Sequence, residues 1–161
     1  MSEVDRMLEA NAAHAAAHRA LPDARPRRQV AVVTCMDARI DVLGALGLGV
    51  GDAHVIRNAG GRVTEDVLRS LALSVHVLGV RAVVLVQHTR CGLEGVTDEE
   101  LVERTGATLS FLPIADHDRS LAEDAAVIAA ASYLGPVEEI AGLVYDVDTG
   151  ALREVVLRAR D

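Results

Sequence analysis

Three β-branched runs, at residues 29–34 (QVAVVT), 53–57 (AHVIR) and 81–87 (RAVVLVQ), limit most strongly what this chain can fold into. The first and third are near-continuously apolar and bounded by breakers or charged residues, the pattern of strands buried inside a parallel sheet, and the second is a short strand. Helical segments lie between them. Residues 40–46 form a short one ended by Gly47-Leu48-Gly49, and residues 64–78 a longer one with Val67, Leu68, Leu71, Val75 and Leu78 on one face. Thr64 is a fitting N-cap there, with Glu65 and Asp66 suited to the positive end of the helix dipole. The alternation predicts a three-layer α/β fold, a mostly parallel sheet flanked by helices.

The remaining segments extend this plan. Thr97-Asp98-Glu99-Glu100 is a capping-box pattern opening a short helix, and residues 119–134 are an Ala-rich helix stopped by Gly135-Pro136. Residues 141–147 and 152–157 flank Asp148-Thr149-Gly150, which predicts a hairpin and a C-terminal edge strand. Residues 3–20 are Ala-rich and helical by propensity, with an apolar surface too small-chained to hold without a neighbour.

Composition narrows the function classes. At 161 residues, half of them apolar and 25% charged, the chain reads as one globular domain spanning 1–161. A net charge of −8 argues against nucleic acid, which needs a basic face. No run approaches a membrane span, and Met1–Arg6 lacks a signal-peptide plan. Two cysteines cannot build a disulfide framework, so a cytoplasmic setting is expected. Every basic residue is Arg, which excludes lysine Schiff-base and P-loop chemistry.

In parallel sheets ligands bind beyond the carboxyl ends of the strands. The first run leads into Cys35-Met36-Asp37-Ala38-Arg39 and the third into His88-Thr89-Arg90-Cys91-Gly92, so both cysteines and one histidine share an edge. Two thiolates and an imidazole are a ligand set for catalytic zinc that leaves a position for water. Two buried cysteines acting as small hydrophobes is the plainer reading, and the placement with His88 outweighs it. The spacings fit neither a Cys-x5-Arg phosphatase loop nor a Cys-x-x-Cys redox site. Asp37 and Arg39 are spaced to pair beside the metal, where the carboxylate could orient water or take the fourth position itself. Asn58-Ala59-Gly60-Gly61 precedes a helix and could bind an anion or serve only as a turn, which makes Gly60 a candidate substrate contact together with Gly92. The glycines at 44, 47, 49 and 51 follow a helix and so do not form a dinucleotide fingerprint. Asp116-His117-Asp118 is a candidate proton-shuttling rim, and the remaining histidines lack ligand-like spacing.

Cys35-x-Asp37-x-Arg39, Arg57-Asn58-Ala59-Gly60 and His88-x-x-Cys91-Gly92, in this order and spacing, resemble the β-class carbonic anhydrases, in particular a compact bacterial subgroup. The resemblance implies Zn2+ held by Cys35, His88 and Cys91, with Asp37 able to join them in a closed state, and an Asp37–Arg39 catalytic dyad. It implies reversible hydration of carbon dioxide to bicarbonate and a proton. It also implies a homodimer or dimer of dimers, with the helix in residues 1–22 laid over the partner subunit. Ala38 replaces a frequent Ser, Pro26 a frequent Gln and Gln87 a frequent Gly of the family. Two rival functions remain at this stage. One is hydrolysis of carbon disulfide or carbonyl sulfide at the same zinc, the other a non-catalytic, redox-sensing zinc protein.

Overall fold

A computed structural model describes residues 1–159. The first helix, α1 (Glu3–Ala17), is followed by β1 (Val30–Cys35), α2 (Val42–Ala45) and β2 (Ala53–Asn58). A 3-10 turn at Ala59–Gly61 leads into α3 (Glu65–His76), then β3 (Ala82–His88), α4 (Asp98–Thr105) and α5 (His117–Ala130). A second 3-10 turn, Ser132–Leu134, precedes the hairpin of β4 (Glu139–Tyr145) and β5 (Leu152–Ala159). The five strands form one sheet in the order β2-β1-β3-β4-β5, parallel except for the antiparallel edge strand β5.

The expected α/β architecture is therefore present, with informative differences at element ends. β1 and β3 each run one residue further than their apolar runs, so Cys35 and His88 are the last residues of their strands. α1 stops at Ala17 because His18 turns extended before Pro22. Residues 119–134 split into α5 and a 3-10 turn, since the chain turns extended at Ala131.

The two sheet faces bury separate cores. Ala31, Val33, Val83, Leu85 and Ile140 meet Val67, Leu71 and Val75 of α3 and Leu121, Ala125 and Ile128 of α5. On the other face Val32 and Val86 meet Val42 of α2 and the loop residues Leu93 and Ile114. Burying each of the Val, Leu and Ile side chains favours the fold by about 1.5–3 kcal/mol. Helix ends are held by side chains: Thr64 accepts from the Val67 amide, Thr97 and Glu100 form a reciprocal capping box, and Asp116 accepts from the Arg119 amide. By contrast α1 buries none of its residues, and Val4, Met7 and Leu8 are exposed.

Gly61 is where the backbone leaves no alternative residue. Its φ is +64°, and a Cβ there would stand 2.9 Å from the Thr34 carbonyl carbon in β1. Gly61→Ala is expected to cost about 1–3 kcal/mol, the strain of a non-glycine residue in this region. A denaturant midpoint unchanged from the parent would contradict this.

Candidate metal centre

The register of the sheet builds the site. Thr34 of β1 lies opposite Val86 of β3, so the carboxyl ends of these adjacent strands present Cys35 and His88 side by side. Beyond His88 the chain turns sharply through Arg90, whose φ is +54°, and returns Cys91 to the same point. The Cys35 and Cys91 Sγ atoms stand 4.0 Å apart as free thiols. One ligand atom from each of Cys35, His88 and Cys91 lies within 4.8 Å of the others, and all three residues are buried.

The histidine is poised as a ligand. Its Nδ1 donates to the Thr89 carbonyl at 3.0 Å, which leaves Nε2 with its lone pair. Among the described residues, His88 Nε2 is the buried side-chain polar atom that has no hydrogen-bond partner. A buried nitrogen without a partner costs about 1–3 kcal/mol unless something binds it. A cation between two sulfurs and this nitrogen removes that cost. Two sulfurs and an imidazole are soft donors, unsuited to magnesium or calcium.

The electrostatics favour thiolate. The Cys91 thiol beside it, then His88 and the amides of Asp37 and Gly60, bring the Cys35 thiol well below its ordinary value. That charge, together with burial, pushes Cys91 up. Burial opposes a charged His88, yet the Cys35 thiolate outweighs it and raises the imidazole above its ordinary value. Without a cation the pair of sulfurs thus favours a single negative charge, and a metal ion would release the second proton.

Asp37 lies next to this cluster, its Oδ2 3.8 Å from His88 Nε2, but it is engaged elsewhere. Arg39 donates from Nε to Oδ1 at 2.9 Å and from Nη2 to Oδ2 at 2.7 Å, and its amide also reaches Oδ1 at 2.9 Å. These bonds hold the Asp37 carboxyl well below the usual carboxylate range. Arg39 is itself fixed by the Arg90 carbonyl, which accepts from Nη2 at 2.9 Å.

The other sequence candidates are placed differently. Gly60 is buried beneath Leu93 and Ile114, and its amide is directed to the Cys35 sulfur. The turn it belongs to is closed on itself, since Asn58 accepts from the Arg62 amide and donates to the Arg62 carbonyl. Gly92 is exposed with open space around it. Asp116 caps α5 and Asp118 pairs with Arg153, while His117 turns inward. A cavity of about 550 Å³ lies at the opposite, amino end of β1 and β3, lined by Pro26, Gln29 and Arg81 among others. One residue carries more than its motif suggested. Arg57 donates to the carbonyls of Cys35 at 2.9 Å and Asp37 at 2.7 Å, stapling the first ligand loop to β2.

A parallel α/β sheet with a Cys-His-Cys cluster at its carboxyl edge and an Asp–Arg pair beside it defines a metalloenzyme class of site. Comparison with known proteins narrows the class. The family model for carbonic anhydrase matches residues 30–126. Beta-carbonic anhydrase 1 of Mycobacterium tuberculosis is 37% identical over 161 residues, covering 96% of this chain and 99% of that one. The crystal structure of carbonic anhydrase from Streptococcus mutans superposes with a TM-score of 0.87 at 41% identity, covering 97% of this chain and 99% of that one. A carbon disulfide hydrolase of Acidithiobacillus thiooxidans is 46% identical, but over 78 residues, which are 45% of this chain and 36% of the relative. The chain belongs to the β-class carbonic anhydrase family.

Proposed function

We propose that this chain is a zinc enzyme that converts carbon dioxide and water reversibly into bicarbonate and a proton. The observation that carries the metal is the unpartnered His88 Nε2, buried against the sulfurs of Cys35 and Cys91. These three side chains would hold the ion, with a further position left for solvent. Zinc bound there supplies Lewis acidity that makes water nucleophilic near neutral pH.

The chain's own residues do the rest. Asp37, ionised and facing His88 Nε2, accepts a hydrogen bond from the reacting water at its Oδ2 and orients it. Arg39 keeps that carboxylate charged and away from the metal position, which Asp37 could otherwise fill. Carbon dioxide is small, so the site requires no large cavity. Identity to carbonic anhydrases of 37% and 41% along nearly the whole chain, against 26% to a solved carbon disulfide hydrolase over 94% of it, favours carbon dioxide over its sulfur analogues. The Asp37–Arg39 pair likewise favours catalysis over a redox-sensing role for the two thiols. A reducing cytoplasm suits free cysteines. Stopped-flow carbon dioxide hydration by the zinc-loaded protein, run beside sulfide release from carbon disulfide and carbonyl sulfide, tests this reading. Sulfide release without carbon dioxide hydration would overturn it.

Arg39→Ala should free Asp37 and lower kcat by about 10- to 100-fold, the usual effect of removing a partner outside the ligand shell. Zinc content should remain unchanged, and equal kcat values for variant and parent would contradict the role. The exposed Val4, Met7 and Leu8 of α1 support a helix laid over a second copy. Deleting residues 1–22 is expected to shift the species seen by light scattering from a dimer, or dimer of dimers, toward monomer.

A further inference from the structure

His117 begins α5, and its side chain is only 12% exposed. Its Nδ1 lies 2.9 Å from Gln87 Oε1 and its Nε2 2.9 Å from Glu94 Oε1. These two partners flank the segment that supplies two of the three ligands. Gln87 immediately precedes His88 in β3, is fully buried, and donates from Nε2 to Ser120 Oγ at 2.7 Å. Glu94 stands three residues beyond Cys91, and its Oε2 accepts the Cys91 amide at 2.6 Å. The Glu94 amide in turn donates to the Cys91 carbonyl at 3.0 Å.

One imidazole on a capped helix therefore grips both ends of residues 87–94. The ligands differ in how firmly the sheet fixes them. Cys35 and His88 sit on strands, whereas Cys91 sits in a loop behind a residue of positive φ. The Glu94 carboxylate ties down the Cys91 amide, and Glu94 is itself partly exposed, so without His117 it is free to swing into solvent. The Ser120 hydroxyl donates or accepts, which lets the Gln87 amide follow either tautomer of the ring.

We propose that His117 is a positioning residue for the metal centre: by bridging Gln87 and Glu94 from α5, it fixes where the Cys91 sulfur stands relative to His88 Nε2. This rests on the reading that Cys35, His88 and Cys91 hold a metal. Support of this kind outside the ligand shell is worth about 10- to 100-fold in metal affinity.

The test compares metal release from zinc-loaded parent, His117→Ala, His117→Gln and Glu94→Ala proteins into excess colorimetric chelator, with the absorption spectra of their cobalt-substituted forms. His117→Ala should release zinc about 10- to 100-fold faster. Its sulfur-to-cobalt charge-transfer bands should shift, and Gln, which keeps a donor and an acceptor, should restore part of both properties. Glu94→Ala, a change nearer the surface that cuts the same chain of bonds, should also speed release, and the double variant should release no faster than the faster single one. It supplies the test should His117→Ala not fold. A His117→Ala protein that melts at lower temperature with and without metal, yet keeps the parent release rate and cobalt spectrum, would show a merely structural brace and overturn the proposal. A parent protein that takes up neither zinc nor cobalt would instead sink the metal-site reading itself.

Discussion

Serine in place of Cys91 is expected to abolish zinc binding and carbon dioxide hydration together, and serine in place of Cys35 to do the same. A serine hydroxyl stays protonated where the thiol becomes a thiolate, so the set falls from three charge-matched donors to two. The loss should exceed the about 10- to 100-fold that removal of an outer partner costs, because the removed atom is itself a ligand. Folding should survive. Each cysteine contributes one small side chain to the second core, and oxygen for sulfur leaves little void. Circular dichroism matching the parent, with neither metal nor activity, is the expected result. Metal retained at parent stoichiometry in either variant would show the ligand assignment to be wrong.

The largest stability effect is expected at Arg62, directly after Gly61. Arg62 Nε donates to Asp124 Oδ2 at 2.8 Å and Nη2 to Oδ1 at 3.3 Å, with both side chains almost wholly buried. Its Nη1 also donates to the Leu112 carbonyl at 2.8 Å, which ties the connection before α5 onto the core. Arg62→Met leaves Asp124 as an uncompensated buried charge and should cost about 3–5 kcal/mol. Replacing both partners, as Arg62→Met with Asp124→Leu, should recover much of that. Burial raises the Asp124 carboxyl above its ordinary range, so its folded form binds a proton more tightly than its unfolded form. The deficit of Arg62→Met should therefore shrink as pH falls through the raised folded value and persist above it. Denaturant unfolding at several pH values reads this, and a deficit that grows on acidification would contradict it.

Asp37 has the opposite sign. Arg39 holds its carboxyl low, so the stability it contributes is present above the unfolded carboxylate range and is lost as pH falls toward the folded value.

The sheet and the meeting of Cys35, His88 and Cys91 were legible because each rests on a local signal. β-branched runs mark strands, and a cysteine directly after one and a histidine directly after another meet where those strands are neighbours. The face of α3 was legible for the same reason, since Val67, Leu71 and Val75 recur at helical spacing and are buried. What supports the ligands was not. Asp124 lies 62 positions from Arg62, and His117 lies 30 from Gln87 and 23 from Glu94. No pattern within a window links such pairs, so His117 read as a rim residue and Arg57 only as part of a motif. The outward face of α1 was the reverse case, because its small side chains already indicated a helix without a surface of its own chain to cover.

X-ray absorption at the zinc edge of the purified protein reads the metal's neighbours. One zinc per chain is expected, with two sulfur neighbours at about 2.3 Å and nitrogen or oxygen neighbours at about 2.0–2.1 Å. A shell without sulfur, or a folded and active protein free of zinc, would contradict it.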